Sequence, residues 1–333
     1  MNIVFLSIFI FLFNLIIFVK FETISKNFIF FDKPDGVLKK HKKPTSLIGG
    51  LIILINTYLI IFFLKVLELD NFFDDRFIYF IITISTFFFL IGFIDDLKNL
   101  SPNKKLFWII FAIGLTLYLY PEIRLNHIKI SFLKSYIHFE YSFIFLIFCY
   151  ALLSNSLNMF DGINLQLISF TIFIFLIFIT KGFVSIFFLL LLICLIFLAI
   201  LNYQNRVFLG DGGSYLISSI IGSVFIYQYD NLQNFYYGDE IFIILLIPAI
   251  DMLRLFIFRL LNKKNPFKGD LNHLHHLINN YTNNTNKTLM ISAGLFILPY
   301  IMLINNFRTY NILFFTCLVY FCLITFLRFK NNK

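Results

Sequence analysis

The sequence predicts an all-α, polytopic integral membrane protein with about eleven transmembrane helices. Of its 333 residues, 59% are hydrophobic and only 14% are charged, which leaves too few polar side chains to cover a water-soluble domain. The apolar residues fall into eleven runs of roughly spanning length, with short polar connections between them. The sequence shows no internal repeat and no extramembrane domain, so we expect a single domain over residues 1–333.

The apolar runs predict spanning helices along the whole chain. They cover residues 3–19, 47–65, 77–94, 106–120, 141–157, 167–180, 184–201, 213–227, 241–260, 288–304 and 312–328. The first run has no basic residue before it and is followed by Lys20, which is the reverse of a secretory signal. We therefore expect it to be a retained helix.

The basic residues predict the orientation. If the N-terminus is outside, the connections after the odd-numbered spans are cytoplasmic, and these carry most of the Lys and Arg residues, as cytoplasmic connections usually do. We therefore expect an external N-terminus, a cytoplasmic C-terminus, and active-site loops in the cytoplasm at about 20–46, 94–106, 158–166, 202–213 and 254–287. Several aspartates fall on this side, which predicts one assembled site: Asp95, Asp96, Asp161, Asp211, Asp251 and Asp270.

A polar segment from Asn155 to Gly162 interrupts two apolar runs. Asn155, Asn158 and Asp161 recur every third residue and would share roughly one face of a helix. An Asp at the centre of a membrane helix costs about 2.5–3.5 kcal/mol on insertion scales, so such residues mark a functional site by default. The alternative is a short cytoplasmic loop after an Asn-rich helix end.

Two adjacent carboxylates, Asp95 and Asp96, end the third run. Because they repel each other, either one of them holds a proton or a cation binds between them. Mg²⁺ takes oxygen ligands and commonly combines one or two carboxylates with substrate phosphates. A solvated helix end is the alternative interpretation of this pair.

A glycine-rich turn, Phe208-Leu209-Gly210-Asp211-Gly212-Gly213-Ser214, precedes another apolar run. Backbone N–H groups at such a helix start favour anions, and the aspartate favours a metal ion. The alternative is a plain helix-capping turn.

Two basic segments complete the pattern. The loop from Asp32 to Pro44 contains His41 and Lys43, and it either binds a phosphate-bearing substrate or is attracted to anionic lipid.

The segment with Arg254 and Arg259 leads to three histidines, His273, His275 and His276. Zinc is the weaker interpretation of these histidines, because no cysteine is near and the other candidate ligands are hard oxygens. Hydrogen bonds to a pyrophosphate are favoured.

Together, these segments suit a reaction between a nucleotide-type diphosphate and a lipid-borne acceptor. They resemble the polyprenyl-phosphate N-acetylhexosamine-1-phosphate transferases, glycosyltransferase family 4 of the MraY superfamily, in the WecA-like branch. The matching segments are Asp32-x-Pro34…His41-x-x-Pro44…Gly49-Gly50, Gly92-Phe93-Ile94-Asp95-Asp96, Asn155-x-x-Asn158-x-x-Asp161-Gly162, Phe208-x-Gly210-Asp211-x-Gly213-Ser214 and His273-x-His275-His276. The MraY-type His-His-x-x-Glu ending is absent.

The resemblance implies that polyprenyl (undecaprenyl) phosphate and a UDP-N-acetylhexosamine, such as UDP-GlcNAc, give a polyprenyl-diphospho-sugar and UMP with Mg²⁺, or with Mn²⁺ in its place. It implies Asp211 as the main metal ligand, with Asp95 and Asp96 binding metal or activating the lipid phosphate. It implies that Asn158, Asp161 and Phe208 hold the nucleotide, with Phe208 against uracil. Arg254 and Arg259 would stabilise the diphosphate charge beside His273, His275 and His276. The other implied substrate-binding residues are Asn155, Gly162, His41 and Lys43.

The resemblance also implies a place in the bacterial inner membrane, surrounded by membrane lipid, with the active site facing the cytoplasm. There the chain would initiate a lipid-linked glycan such as O-antigen of lipopolysaccharide or another cell-envelope polysaccharide. No nucleic acid partner is expected. The identity of the sugar, a homodimer, and the choice between direct attack by the lipid phosphate and a carboxylate intermediate are left open.

The chain departs from the family pattern after Gly162. The family usually continues with an acid or Asn and then Gly-Leu, whereas this chain has Asn164-Leu165-Gln166. A catalytically degenerate, lipid-phosphate-binding scaffold is therefore one alternative. An ion-coupled transporter is another, but it predicts acids at the bilayer midplane and internal symmetry. A CDP-alcohol type of transferase would need a compact multi-Asp pattern, which the sequence lacks.

Overall fold

The computed structural model of this chain describes residues 2–28, 30–32, 44–69, 74–123, 125, 127–133, 135–181, 186–229, 237–266 and 270–331. Within these ranges the regular secondary structure is helical apart from two short pairs of antiparallel strands. The helices are α1 (Asn2–Val19), α2 (Phe21–Asn27), α3 (Gly49–Val66), α4 (Asp75–Lys98), α5 (Pro102–Leu119), α6 (Ser142–Phe160), α7 (Gln166–Thr180), α8 (Ile186–Tyr203), α9 (Gly210–Tyr227), α10 (Gly238–Leu261), α11 (Leu274–Thr282), α12 (Thr285–Ile304) and α13 (Thr309–Asn331). The strands are β1 (Phe31–Asp32), β2 (Thr45–Ser46), β3 (His127–Lys129) and β4 (Tyr136–His138).

Each of the eleven predicted apolar runs coincides with a helix, and this confirms a helical, multi-pass membrane protein. Eight of the described helices are long and apolar enough to cross a membrane, namely α1, α3, α4, α6, α8, α10, α12 and α13. The shorter helix α7 is also apolar. The number of spans and their orientation stay predictions, and the short helices α2 and α11 were not among the predicted runs.

Local sequence explains where several helices begin and end. Asp74 caps α4, since its Oδ1 accepts a hydrogen bond from the Phe77 N–H at 2.6 Å. Pro102 occupies the first turn of α5, where its missing N–H has no consequence. Asn99 ends α4 in the left-handed conformation, a residue type that tolerates this conformation better than most.

The chain divides into two compact units. The first unit contains Met1–Ile123 and Thr171–Ser223, and the second contains Arg124–Phe170 and Val224–Lys333. Each unit therefore combines two separate stretches of the sequence. The single domain predicted over residues 1–333 stays a prediction.

In the first unit, α1 and α3 both pack on α8, and α4 packs on α3 and α5. Two buried amides join α1 to α3: Asn14 Nδ2 donates to Asn56 Oδ1 at 2.7 Å, and Asn56 Nδ2 donates back at 3.2 Å. Inside a membrane, such a reciprocal pair satisfies groups that lipid cannot hydrogen-bond. The strands β1 and β2 are antiparallel, and Ser46 of β2 also forms a parallel bridge with Val207.

In the second unit, α10 packs on α6, α12 and α13, while α11 packs on α12 and α13. The antiparallel hairpin of β3 and β4 pairs His127 with His138. Its turn is held by Asp239 at the start of α10, which accepts hydrogen bonds from the Ser131 N–H at 3.0 Å and the Ser131 hydroxyl at 2.5 Å.

The turn between α6 and α7 contains an unusual backbone conformation. Leu165 has φ +67°, in the left-handed region. This region costs an ordinary L-residue about 1–2 kcal/mol, whereas glycine enters it freely. The backbone at Leu165 thus keeps the left-handed conformation that favours glycine, and the family that the chain resembles usually has glycine at this position.

We predict that Leu165→Gly is more stable than Leu165→Ala, by about 1 kcal/mol. Both variants remove the leucine side chain, but only alanine keeps the Cβ that strains this backbone. At ordinary positions within helices the order is reversed, with alanine favoured by about 0.5–1 kcal/mol. The measurement is denaturation of each purified variant in detergent. The same two substitutions at Leu298, an exposed position in α12, serve as the control and should show the ordinary order. A more stable alanine variant at position 165 would contradict the prediction.

Candidate active site

The aspartate pair of α4 lies at the start of α9, within the first unit. Asp96 Oδ1 accepts a hydrogen bond from the Asp211 N–H at 2.9 Å, and Asp96 Oδ2 accepts one from the Gly212 N–H at 3.1 Å. A carboxylate is favourable at this position because the first N–H groups of a helix have no partner within the helix. Asp96 therefore caps α9 and holds Asp211 close to the end of α4.

Glycines allow this close approach. A Cβ added at Gly92 would overlap the backbone carbonyl of Asp211, and a Cβ at Gly50 would lie 2.5 Å from the Gly213 nitrogen. Gly49 is equally confined, since its Cβ would lie 2.5 Å from the Phe208 carbonyl oxygen. These three glycines therefore allow backbone contact between α3 or α4 and the turn that begins α9.

Lys105 of α5 contacts two of the carboxylates. Its ammonium group forms ion pairs with Asp95 and with Asp211, the latter at 2.7 Å. Burial opposes the charge on Lys105, but Asp211 and the other groups around the ammonium outweigh this effect and raise the lysine pKa above its usual value. Asp95 also accepts a hydrogen bond from the Leu100 N–H at 2.7 Å. These four residues, Asp95, Asp96, Lys105 and Asp211, are here called the aspartate–lysine cluster.

The aspartate–lysine cluster has the chemistry of a magnesium site. Its carboxylates supply hard oxygens, and the Lys105 ammonium already stands where a cation would balance Asp95 and Asp211. Among the described residues, no group of three or more His, Cys, Asp or Glu side chains is placed to hold a metal ion. Mg²⁺ would therefore rely on substrate phosphates for further ligands, as it commonly does. The metal role of Asp211, Asp95 and Asp96 stays a prediction.

Phe208 precedes α9 in the same unit. Its N–H donates to the Ser46 carbonyl at 2.8 Å, and its carbonyl accepts from the Gly49 N–H at 3.1 Å. The backbone of this residue is therefore fixed on both sides, while its half-buried ring remains the predicted contact for a nucleotide base.

The histidine segment belongs to the second unit and is organised by Asp251 of α10. Asp251 Oδ2 lies 2.8 Å from His273 Nδ1, and Asp251 Oδ1 accepts hydrogen bonds from Arg254 at 2.8 Å and from the Tyr320 hydroxyl at 2.6 Å. The Leu274 N–H donates to the same oxygen at 3.2 Å. This network orders the start of α11.

His275 contacts the end of the polar segment on α6. The side chain is 1% exposed, and a Cβ added at Gly162 would overlap its Nε2 atom. The His273 and His275 rings are stacked with centroids 5.6 Å apart, and the His276 ring lies 4.2 Å from His275. Burial, followed by the neighbouring histidines, lowers the pKa of His275 well below its usual value, so this ring is neutral at pH 7. The structure thus joins Gly162 to the three histidines.

The two predicted arginines have different surroundings. Arg254 bonds Asp251 and donates to the Asn272 carbonyl at 2.7 Å. Arg259 is 2% exposed and closes the loop after α10, because its Nε donates to Asp270 Oδ2 at 3.0 Å and its Nη1 to the Pro266 carbonyl at 2.8 Å. Burial would raise the Asp270 pKa, but the Arg259 hydrogen bond outweighs it and lowers that pKa. A substrate role for Arg259 stays a prediction, and loop closure is its observed role.

The remaining predicted residues are only partly described. Asn155, Asn158 and Asp161 are half-buried at the end of α6, and Asn155 Nδ2 donates to the Ala151 carbonyl of its own helix at 2.7 Å. His41 and Lys43 lie outside the described residues. The nucleotide and substrate roles of all five residues stay predictions.

Sequence reasoning missed Lys105 and Tyr320. Lys105 counted only as a basic residue of a cytoplasmic loop, although it follows the aspartate pair closely in the sequence. Tyr320 lies in an apolar run where no polar pattern marks it. The contacts of Lys105 with Asp211 and of Tyr320 with Asp251 form only in the folded chain, where α5 and α13 bring these side chains to their partners.

Residues 77–229 match the sequence model of glycosyl transferase family 4. The match contains the aspartate pair, the Asn155–Gly162 segment and the turn before α9, and it confirms the family that these motifs indicated. The family supports a sugar-phosphate transferase that uses a polyprenyl phosphate and a nucleotide sugar in a membrane. No curated protein matches the chain.

Proposed function

We propose that the chain transfers N-acetylhexosamine-1-phosphate from a UDP-sugar to undecaprenyl phosphate and releases UMP. The reaction takes place at the cytoplasmic face of the bacterial inner membrane and initiates a lipid-linked glycan, such as O-antigen or another cell-envelope polysaccharide. The observation that carries the proposal is the aspartate–lysine cluster, which lies at the start of α9 inside the family 4 segment.

The cluster suits phosphoryl transfer, in which positioning and charge stabilisation are the main contributions of the protein. An oxygen of the lipid phosphate attacks the β-phosphorus of the UDP-sugar. The bond from that phosphorus to the bridging oxygen breaks, and UMP leaves with the electron pair, so no proton is gained or lost in the exchange itself. Direct attack is preferred, because it needs no group beyond these two substrates.

Lys105 and the carboxylates have separate tasks in this proposal. The Lys105 ammonium binds a phosphate oxygen, since a partly buried amine whose pKa is raised by neighbouring carboxylates is an effective partner for phosphate. Asp211 and Asp95 would hold Mg²⁺, which would neutralise charge on the diphosphate. Asp96 keeps Asp211 in place through its bonds to the α9 backbone. The expected roles of Asn158, Asp161, Phe208, Arg254 and the three histidines belong to the same proposal.

The decisive experiment is UMP release by the purified protein in detergent. Undecaprenyl phosphate, Mg²⁺ and a panel of UDP-N-acetylhexosamines are supplied, with EDTA and lipid-free samples as controls. We expect release that requires both lipid and metal and that occurs with one donor in preference to the others. Folded protein that releases UMP from no donor, but still binds the lipid phosphate, would instead support a lipid-binding scaffold.

A further inference from the structure

Asp251 is a buried carboxylate with an unequal set of donors on its two oxygens. The residue is 4% exposed. Oδ1 accepts from the Arg254 guanidinium, the Tyr320 hydroxyl and the Leu274 N–H, whereas Oδ2 lies against His273 Nδ1. A buried carboxylate with this many donors is an acceptor on both oxygens. The Nδ1 atom of His273 therefore carries a proton and donates it to Oδ2 at 2.8 Å.

Tyr320 determines how this carboxylate is held. The side chain is completely buried on α13, and its hydroxyl oxygen accepts a hydrogen bond from Arg254 Nε at 2.7 Å. With that interaction in place, the hydroxyl proton points to Asp251 Oδ1, 2.6 Å away. Tyr320 thus links Arg254 to Asp251 in addition to their direct ion pair. Removing the hydroxyl would leave Arg254 Nε without this acceptor and Oδ1 without one donor, and unpaired buried groups are costly.

We propose that Tyr320 is a positioning residue that acts through Asp251 on His273. It keeps the Oδ2 atom directed at His273 Nδ1, and this fixes the orientation of the imidazole ring and its Nδ1-protonated tautomer. The Nε2 atom on the opposite side of the ring is then the one that can meet a ligand. A carboxylate that orients a histidine in this way sets which ring nitrogen is active. The effect on turnover rests on the proposed transferase function, whereas the effect on the tautomer does not.

The first test is independent of activity. His273 is observed in histidine-labelled protein by NMR, through its low-field Nδ1–H resonance and the nitrogen shifts that distinguish the two tautomers. His273→Gln identifies the signal among the six histidines of the chain. We expect Tyr320→Phe to shift or remove this resonance. The matched control is Thr316→Val on the same helix, which removes a buried hydroxyl that has no hydrogen-bond partner among the described residues. It should leave the signal unchanged.

The second test is kinetic. Tyr320→Phe is expected to lower kcat by about 10- to 100-fold, the size expected for a hydrogen bond to a charged group, with little change in KM for either substrate. Thr316→Val should keep the kcat of the unaltered protein. Equal losses in both variants with an unchanged His273 signal would show a purely structural role and overturn the proposal, as would wild-type kcat and signal in Tyr320→Phe. If the unaltered protein releases no UMP but its His273 signal still responds to Tyr320→Phe, the proposed function fails and the positioning role stands.

Discussion

Asp211→Asn is expected to reduce kcat for UMP release by about 100- to 1,000-fold, the usual range for loss of one preorganised electrostatic group. Asparagine has the size of aspartate but no charge, so the Lys105 ammonium loses the partner that lies 2.7 Å away. The substitution leaves the backbone contacts intact, since Asp96 bonds the N–H of residue 211 rather than its side chain. We therefore expect a folded protein whose turnover no longer responds to added Mg²⁺.

The measurement compares turnover over a range of Mg²⁺ concentrations, and size-exclusion profiles and thermal midpoints verify the fold. Asp75→Asn is the matched control, because Asp75 is also a first-turn aspartate but is exposed at the opposite end of α4 from Asp95 and Asp96. It should keep the rate of the unaltered protein. Full Mg²⁺-dependent turnover by Asp211→Asn would show that Asp211 is not the metal or phosphate residue.

Gly92→Ala is expected to have the largest effect on stability and to remove most of the activity as well. The new Cβ would overlap the Asp211 carbonyl and would lie 2.5 Å from the Gly212 nitrogen. These are backbone atoms at the start of a helix, so they cannot rotate away as a flexible side chain would. The helix α4 must instead move away from α9 and take Asp95 and Asp96 with it. Overpacking of this kind costs about 1–3 kcal/mol of unfolding free energy.

Gly294→Ala provides a matched comparison. Gly294 lies within α12, where an added Cβ meets no atom within 4 Å among the described residues. The same substitution should be neutral there, or stabilising by about 0.4–1 kcal/mol, because alanine loses less backbone entropy on folding. Both variants are compared by denaturation in detergent and by UMP release. Equal stability of the two variants would mean that α4 and α9 do not approach as closely as the structure shows.

The helices were the most predictable part of this protein. The apolar runs located eleven helices because a span must present apolar side chains to lipid over its whole length, which leaves a continuous signal in the sequence. Helix ends were less predictable: α4 extends to Lys98, beyond the predicted limit of 94, because the polar residues that follow the apolar run continue the helix. The short amphipathic helix α11 carries no such run and was missed.

The residue types of the candidate site were also recognisable, and their spacing and order indicated the family that the match over residues 77–229 confirms. Their partners were not. The sequence placed Asp95 and Asp96 as an equivalent pair, but the structure gives them different roles, with Asp96 on the α9 backbone and Asp95 on Lys105. Likewise Arg254 and Arg259 looked alike, whereas Arg259 closes its own loop.

Hydrophobic patterning and motifs were thus sufficient for the helical membrane fold and for the family, because each apolar run and each motif consists of residues that are close together in the chain. Tertiary packing was needed to show that Lys105 forms ion pairs with both Asp95 and Asp211, that Tyr320 donates a hydrogen bond to Asp251, and that His275 contacts Gly162. These contacts join residues up to 113 positions apart, as for His275 and Gly162, between elements whose approach depends on glycines and buried hydrogen bonds. The order of residues in a sequence does not give the distance in space between two such elements. Only the packing of the helices determines which polar side chains come into contact.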